Sequence, residues 1–125
     1  MSYHSFEELD VWKRSSNLMV EIYKLFKNSR EFAFRDQICR SALSISSNIA
    51  EGCERNSNPD FIRFLHIAKG SSTELKSQIF IAERIGIISI EEAKNIISEL
   101  RELSSMIHGL INYLKTSSEK KSHKS

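Results

Sequence analysis

The chain is poor in residues that break helices, with one proline and four glycines in 125 residues. Cysteine is scarce too: Cys39 and Cys53 are too few for a disulfide framework. They fall in one helical segment, which at the helical rise sets them about 21 Å apart, far beyond the reach of a disulfide. Free thiols are expected, as suits a reducing cytoplasm. Long apolar runs are missing. The longest candidate, Gln78 to Ile90, is interrupted by Glu83 and Arg84 and falls well short of the roughly 20 residues that span a bilayer. The opening residues Met1 to Phe6 lack the basic and apolar regions of a secretory signal. A soluble cytoplasmic protein, not a membrane protein, is therefore expected. An excess of one charge is missing as well: 18 Lys and Arg stand against 16 Asp and Glu, a formal net charge of +2. That balance excludes an overall polybasic binder but leaves room for a local basic patch.

What is present is helical periodicity. With 40% hydrophobic and 27% charged residues, the composition is that of one globular domain. A first helix is expected over about 7–27, with Trp12, Met19, Ile22, Tyr23 and Phe26 on one face. A second is expected over about 34–51, with Phe34, Ile38, Ala42, Ile45 and Ile49 inward and Gly52 as its left-handed stop. Asn58 and Pro59 then read as the N-cap and first-turn proline of a third helix, favoured further by Asp60. This helix carries Phe61, Phe64, Leu65, Ala68, Leu75, Ile79 and Ala82, and ends at Gly86. Ser89 and Glu92 spell a capping box for the fourth helix. Its stripe runs from Ala93 through Ile96, Ile97, Leu100, Leu103, Ile107, Leu110 and Ile111 to Leu114. No segment alternates at period two. An all-α, up-down-up-down antiparallel four-helix bundle over 1–115 follows, with 116–125 as a disordered basic tail.

Apolar residues outside these stripes point to more than a monomer. Ile62, Ile67, Phe80, Ile81 and Ile85 on the third helix, and Cys39, Leu43 and Ala50 on the second, fall off the core faces. A small monomer seldom exposes a large apolar patch, so a homo-oligomer is expected.

Catalytic and metal motifs are absent. A di-metal bundle needs Glu-x-x-His on two helices, but Arg63 and Ser105 stand three residues before His66 and His108. Cys-x-x-Cys spacing for zinc is missing, and the glycines form no phosphate loop. Gly70 and Gly109, placed inside helices, suggest close helix–helix approach. Ser117 and Lys120, and Ser118 and Lys121, match Ser-x-x-Lys only in a tail unable to hold catalytic geometry. No enzyme activity and no cofactor are expected.

The unusual stretch is 37–52. Gln37, Arg40, Ser44, Ser47, Asn48 and Glu51 share the face opposite the core stripe. A routine solvated face would carry more Lys and Glu, so this one reads as a polar seam between helices or subunits. Arg40 and Glu51 are too far apart to pair within one helix but suit a pair between subunits. The basic residues that could meet phosphate are Lys13, Arg14, Arg35, Arg55 and Arg63, with Lys120, Lys121 and Lys124 in the tail. Asp10, Asp36, Glu51, Glu54 and Asp60 lie close by in sequence, so solvated ion pairs are the competing expectation. Trp12 and the phenylalanines read as packing rather than base-stacking platforms.

Several runs carry a family resemblance: Leu9-Asp10-Val11-Trp12-Lys13, Gln37-x-x-Arg40, Ser44-Ile45-x-x-Asn48-Ile49-Ala50-Glu51-Gly52 and Phe64-Leu65-x-Ile67-Ala68-x-Gly70-Ser71-x-x-Glu74-Leu75. Over roughly Phe6 to Leu114 the chain resembles the bacterial four-helix bundle family, also called the S23 or 23S rRNA intervening-sequence protein family. The resemblance implies an up-down bundle assembling into a homopentameric ring, with no enzymatic activity. The fold is also similar to the accessory variability protein of diversity-generating retroelements, a basic pentamer that binds nucleic acid and a reverse transcriptase. Two departures stand out: Ser46 replaces a usual proline, and Ala33-Phe34 replaces a frequent Gly-Leu pair. The expected function is a non-enzymatic ring associated with RNA or DNA through weak basic contacts multiplied by symmetry. The alternative is an adaptor that docks a partner such as a reverse transcriptase, with no nucleic-acid affinity of its own.

Overall fold

The computed structural model describes residues 5–124, with side chains through 117. A short 3-10 turn, Phe6–Glu8, leads into α1 (Asp10–Phe26), α2 (Phe32–Cys53), α3 (Asn58–Arg84) and α4 (Ile90–Lys124). Among the described residues there is no strand. Each helix packs on its neighbours in sequence and α1 closes against α4, the cyclic order of an antiparallel four-helix bundle. α4 is helical through Lys124, past the boundary expected at 115. Whether the side chains beyond Ser117 behave as a separate basic tail lies outside the described residues.

Local chemistry sets the boundaries. Ser57, rather than the expected Asn58, caps α3: its Oγ accepts from the Asp60 N–H at 3.3 Å, and Pro59 sits in the first turn. Asn58 is already helical, and its side-chain amide donates to the Leu114 carbonyl at 3.4 Å, tying the start of α3 to α4. α3 ends at Gly86, whose φ of 81° is left-handed. The Gly86 N–H donates to the Glu83 carbonyl at 3.1 Å and the Ile87 N–H to the Ala82 carbonyl at 2.9 Å, the paired bonds of a Schellman ending. Ser89 and Glu92 then form the capping box in both directions, at 3.0 and 2.9 Å.

The second expected glycine stop is different. Gly52 is helical and buried inside the last turn of α2, with no positive φ. A Cβ built there would meet the Phe64 Cβ at 2.7 Å and the Phe61 ring at 3.0 Å, so the glycine serves close approach of α2 to α3. Gly70 and Gly109 do the opposite of what was expected, with nothing within 4 Å of a built Cβ.

The core contains the expected stripes of α2, α3 and α4, with Phe34 and Leu110 half-buried at its edge. On α1 the inward face is Val11, Ser15, Leu18, Ile22 and Phe26. Trp12 and Met19 lie half-buried at its border, and Tyr23 is 56% exposed. The aromatic residues had suggested a face rotated toward them. Trp12 instead meets Phe6 edge-to-face, with ring centroids 5.0 Å apart, and covers the end of the core rather than filling it.

Candidate nucleic-acid interface

The cations expected to meet phosphate do not converge on one site. Arg14 is committed within the chain. Its Nε and Nη2 donate to the two carboxylate oxygens of Glu99 at 2.7 and 3.0 Å, and Nη2 lies 3.2 Å from Glu102. This fork joins α1 to α4, and the Arg14 guanidinium holds the Glu99 carboxyl below its ordinary range. Arg14 is thus a strut rather than a free cation. Lys13 is exposed on the same helix.

Arg35 lies in the first turn of α2, paired with Asp36 at 3.2 Å and stacked 4.8 Å over Phe32. Arg55 lies just past the other end of that helix, and Arg63 in the first two turns of α3. They share one ring, with guanidinium carbons 4.9 and 4.7 Å from the Phe64 centroid. Arg55 also pairs with Glu51 at 2.9 Å, and Arg63 lies 3.7 Å from Asp60. Two cations thus come together, each beside a carboxylate. The side chains of Lys120, Lys121 and Lys124 lie outside the described residues.

The polar face of α2 divides. The Oγ atoms of Ser44 and Ser71 are 2.8 Å apart, joining α2 to α3. The Asn48 amide donates to the Ser44 carbonyl at 2.8 Å and to its hydroxyl at 3.0 Å. These residues make an interhelix seam within the chain. Gln37, Arg40, Ser47 and Glu51 remain exposed, and Glu51 turns to Arg55 rather than Arg40. Ser46, where the resemblance implies a proline, donates to the Leu43 carbonyl at 3.1 Å, and α2 runs unbroken.

A more coherent cationic surface lies between α3 and α4. There Lys69, Lys76, Arg101 and His108 line a groove of about 470 Å³. Ser72, Thr73, Ser104 and Ser105 supply hydroxyls between them, and no carboxylate is among the lining residues. The helices are antiparallel, and the pairs Lys69–Lys76 and Arg101–His108 are each seven residues apart. Lys69 therefore faces His108, with Nζ 3.4 Å from Nδ1, and Lys76 falls opposite Arg101. The two rungs are about 10 Å apart along the groove. Lysine, arginine and hydroxyl groups are the usual donors to a phosphodiester backbone. Sequence reading missed this site because no two of its cations are close in the chain. The available signal was the shared seven-residue step, which puts each pair on one face of its helix.

Just above it, Phe80, Ile90, Ala93 and Ile97 line a second groove of about 330 Å³, and Arg101 borders both. Phe80 is 47% exposed and Ile90 61%, so Phe80, like the 60% exposed Phe32, is free of the packing role expected for the phenylalanines. Of the other off-stripe residues, Leu43, Ile67, Ile81 and Ile85 are exposed, whereas Cys39, Ala50 and Ile62 are half-buried, Cys39 and Ile62 against the core.

No group of three His, Cys, Asp or Glu side chains that could hold a metal ion occurs among the described residues. Burial pushes the Cys39 and Cys53 thiols up, away from the reactive thiolate form. No described helix is long and apolar enough to cross a membrane.

Comparison with curated proteins finds no match. Among solved structures, the chain is similar to a protein of unknown function from the S23 ribosomal protein family of Bacteroides thetaiotaomicron. The two are 30% identical with a TM-score of 0.76, over 81% of this chain and 97% of that one. The family model described as 23S rRNA-intervening sequence protein matches residues 7–109. With that match across nearly the whole bundle, the chain belongs to the 23S rRNA-intervening sequence protein family.

Proposed function

We propose that the protein is a non-enzymatic, homo-oligomeric RNA-associated binding protein. The observation that carries this reading is the α3–α4 groove, where Lys69, Lys76 and Arg101 meet intervening hydroxyls without a lining carboxylate. The family's description supports RNA as the polyanion. One groove makes few phosphate contacts, and its affinity at physiological salt is correspondingly weak. Repetition by symmetry multiplies it without any new contact type. The exposed Leu43, Ile67, Ile81 and Ile85 supply apolar surface for such an assembly, and a ring of five is the form proposed.

Light scattering on the purified protein and fluorescence anisotropy with a labelled RNA oligonucleotide test the two halves. The expected results are a mass of several chains and an affinity that falls as salt rises. Each single-strand phosphate contact contributes about 0.7 to the logarithmic salt slope, so Lys69→Gln and Lys76→Gln each make that slope shallower. A monomer contradicts the assembly. Absence of RNA binding at low salt contradicts the RNA reading and leaves the adaptor.

A further inference from the structure

The two α3–α4 grooves adjoin at Arg101 and, taken together, make a trough with two chemistries. Below Arg101 are Lys69, Lys76, His108 and the hydroxyls; above it are Phe80, Ile90, Ala93 and Ile97. Lys94 and Glu83 border the upper end. Resting on the RNA-binding reading, we infer that the trough takes single-stranded RNA, with backbone phosphates on the Lys69/His108 and Lys76/Arg101 rungs and an unpaired base on the Phe80 ring.

Three observations select a single strand over a duplex. Phe80 and Ile90 are 47% and 61% exposed, and an apolar surface beside a phosphate track gains nothing from a helix whose bases are stacked inside it. An unstacked base has a π-face that an aromatic ring covers, the usual anchor for single-stranded RNA. Arg101 borders both grooves, and its planar guanidinium serves either a phosphate fork or a stacked base at the junction. The acid falls at the right place too. Glu83 lines only the apolar end, where it offsets the charge of Lys94, so the net positive charge lies on the rungs and holds the backbone there while the base turns upward.

The test compares one RNA sequence as a single strand and as a duplex, by anisotropy at low salt, with the full chain and its Phe80→Leu and Phe80→Trp variants. Leucine keeps apolar bulk but has no π-face; tryptophan keeps both. The single strand is expected to bind more tightly than the duplex. Phe80→Leu is expected to weaken the single strand about five-fold or more, as loss of one base stack does, with duplex affinity unchanged and Phe80→Trp retaining binding. Equal affinity for duplex and single strand, or an unaltered Phe80→Leu, overturns the inference while the RNA reading stands. Failure of the native chain to bind any RNA overturns both. A change of oligomeric mass in Phe80→Leu also overturns it, since Phe80 is then an assembly contact.

Discussion

Gly52 of α2 and Phe64 of α3 approach so closely that a Cβ on the glycine would stand 2.7 Å from the Cβ of the phenylalanine. The clashing atom is the root of the Phe64 side chain, so relief requires α3 itself to move. The same ring carries Arg55 and Arg63, and close packing at Gly52 is what holds that trio at the end of the bundle.

Gly52→Ala is therefore expected to destabilise the protein. Overpacking costs about 1–3 kcal/mol and outweighs the gain of about 1 kcal/mol in helix propensity at most such contacts. Thermal unfolding should show a midpoint lowered by several degrees. An unchanged or raised midpoint would remove the close approach as the reason for this glycine.

Gly70→Ala and Gly109→Ala should do the reverse. Both are helical, and a methyl group meets nothing within 4 Å. Each substitution should stabilise the folded chain by about 0.5–1 kcal/mol, read as a higher unfolding midpoint. Destabilisation accompanied by a smaller assembly mass would instead put that glycine against a second copy.

The Arg14–Glu99 fork predicts a stability difference that depends on pH. Hydrogen bonding from Arg14 lowers the Glu99 carboxyl in the folded state, so near the ordinary carboxylate range of about 4.3 the unfolded chain binds more protons. The contribution is complete above that range and is lost as pH falls through the lower folded value. Glu99→Gln should thus lower the unfolding midpoint at pH 7, with the gap closing in acid. The partners' side chains are 33% and 30% exposed, so added salt should also narrow the gap.

Cys39 and Cys53 should alkylate slowly. Burial raises both thiols, although Arg35 pulls Cys39 partly back. At pH 8, iodoacetamide labelling of the native chain should lag well behind labelling in urea. Equal rates in the two states would contradict the burial.

The stripes of α3 and α4 were legible because every large residue that sets their period also faces inward. The α1 face was less so: Trp12 and Tyr23 are large enough to dominate a pattern, yet one borders the core and the other lies outside it. Gly52 and Gly86 look alike in sequence, and only packing against Phe61 and Phe64 separates a contact glycine from a left-handed cap. The α3–α4 groove was hidden for a different reason. Lys69, Lys76, Arg101 and His108 become neighbours only when two helices are set in register, and register is a tertiary property. Arg14 illustrates the converse, since its partner Glu99 is 85 positions away and the acidic residue nearest to it in sequence played no part.

The register of the α3–α4 groove is set by the core beneath it. Ile96, Leu100, Leu103, Ile107 and Ile111 are buried, and turning α4 by the roughly 100° of one residue would bring that stripe into water. A residue inserted in the turn between Gly86 and Ser89 should therefore be absorbed in the turn, as surface connections absorb insertions, leaving Lys69 opposite His108 and Lys76 opposite Arg101. The polar rungs are thus held in line by apolar residues on the far side of their own helices, and a length change inside α4, not in the turn, is what would part them.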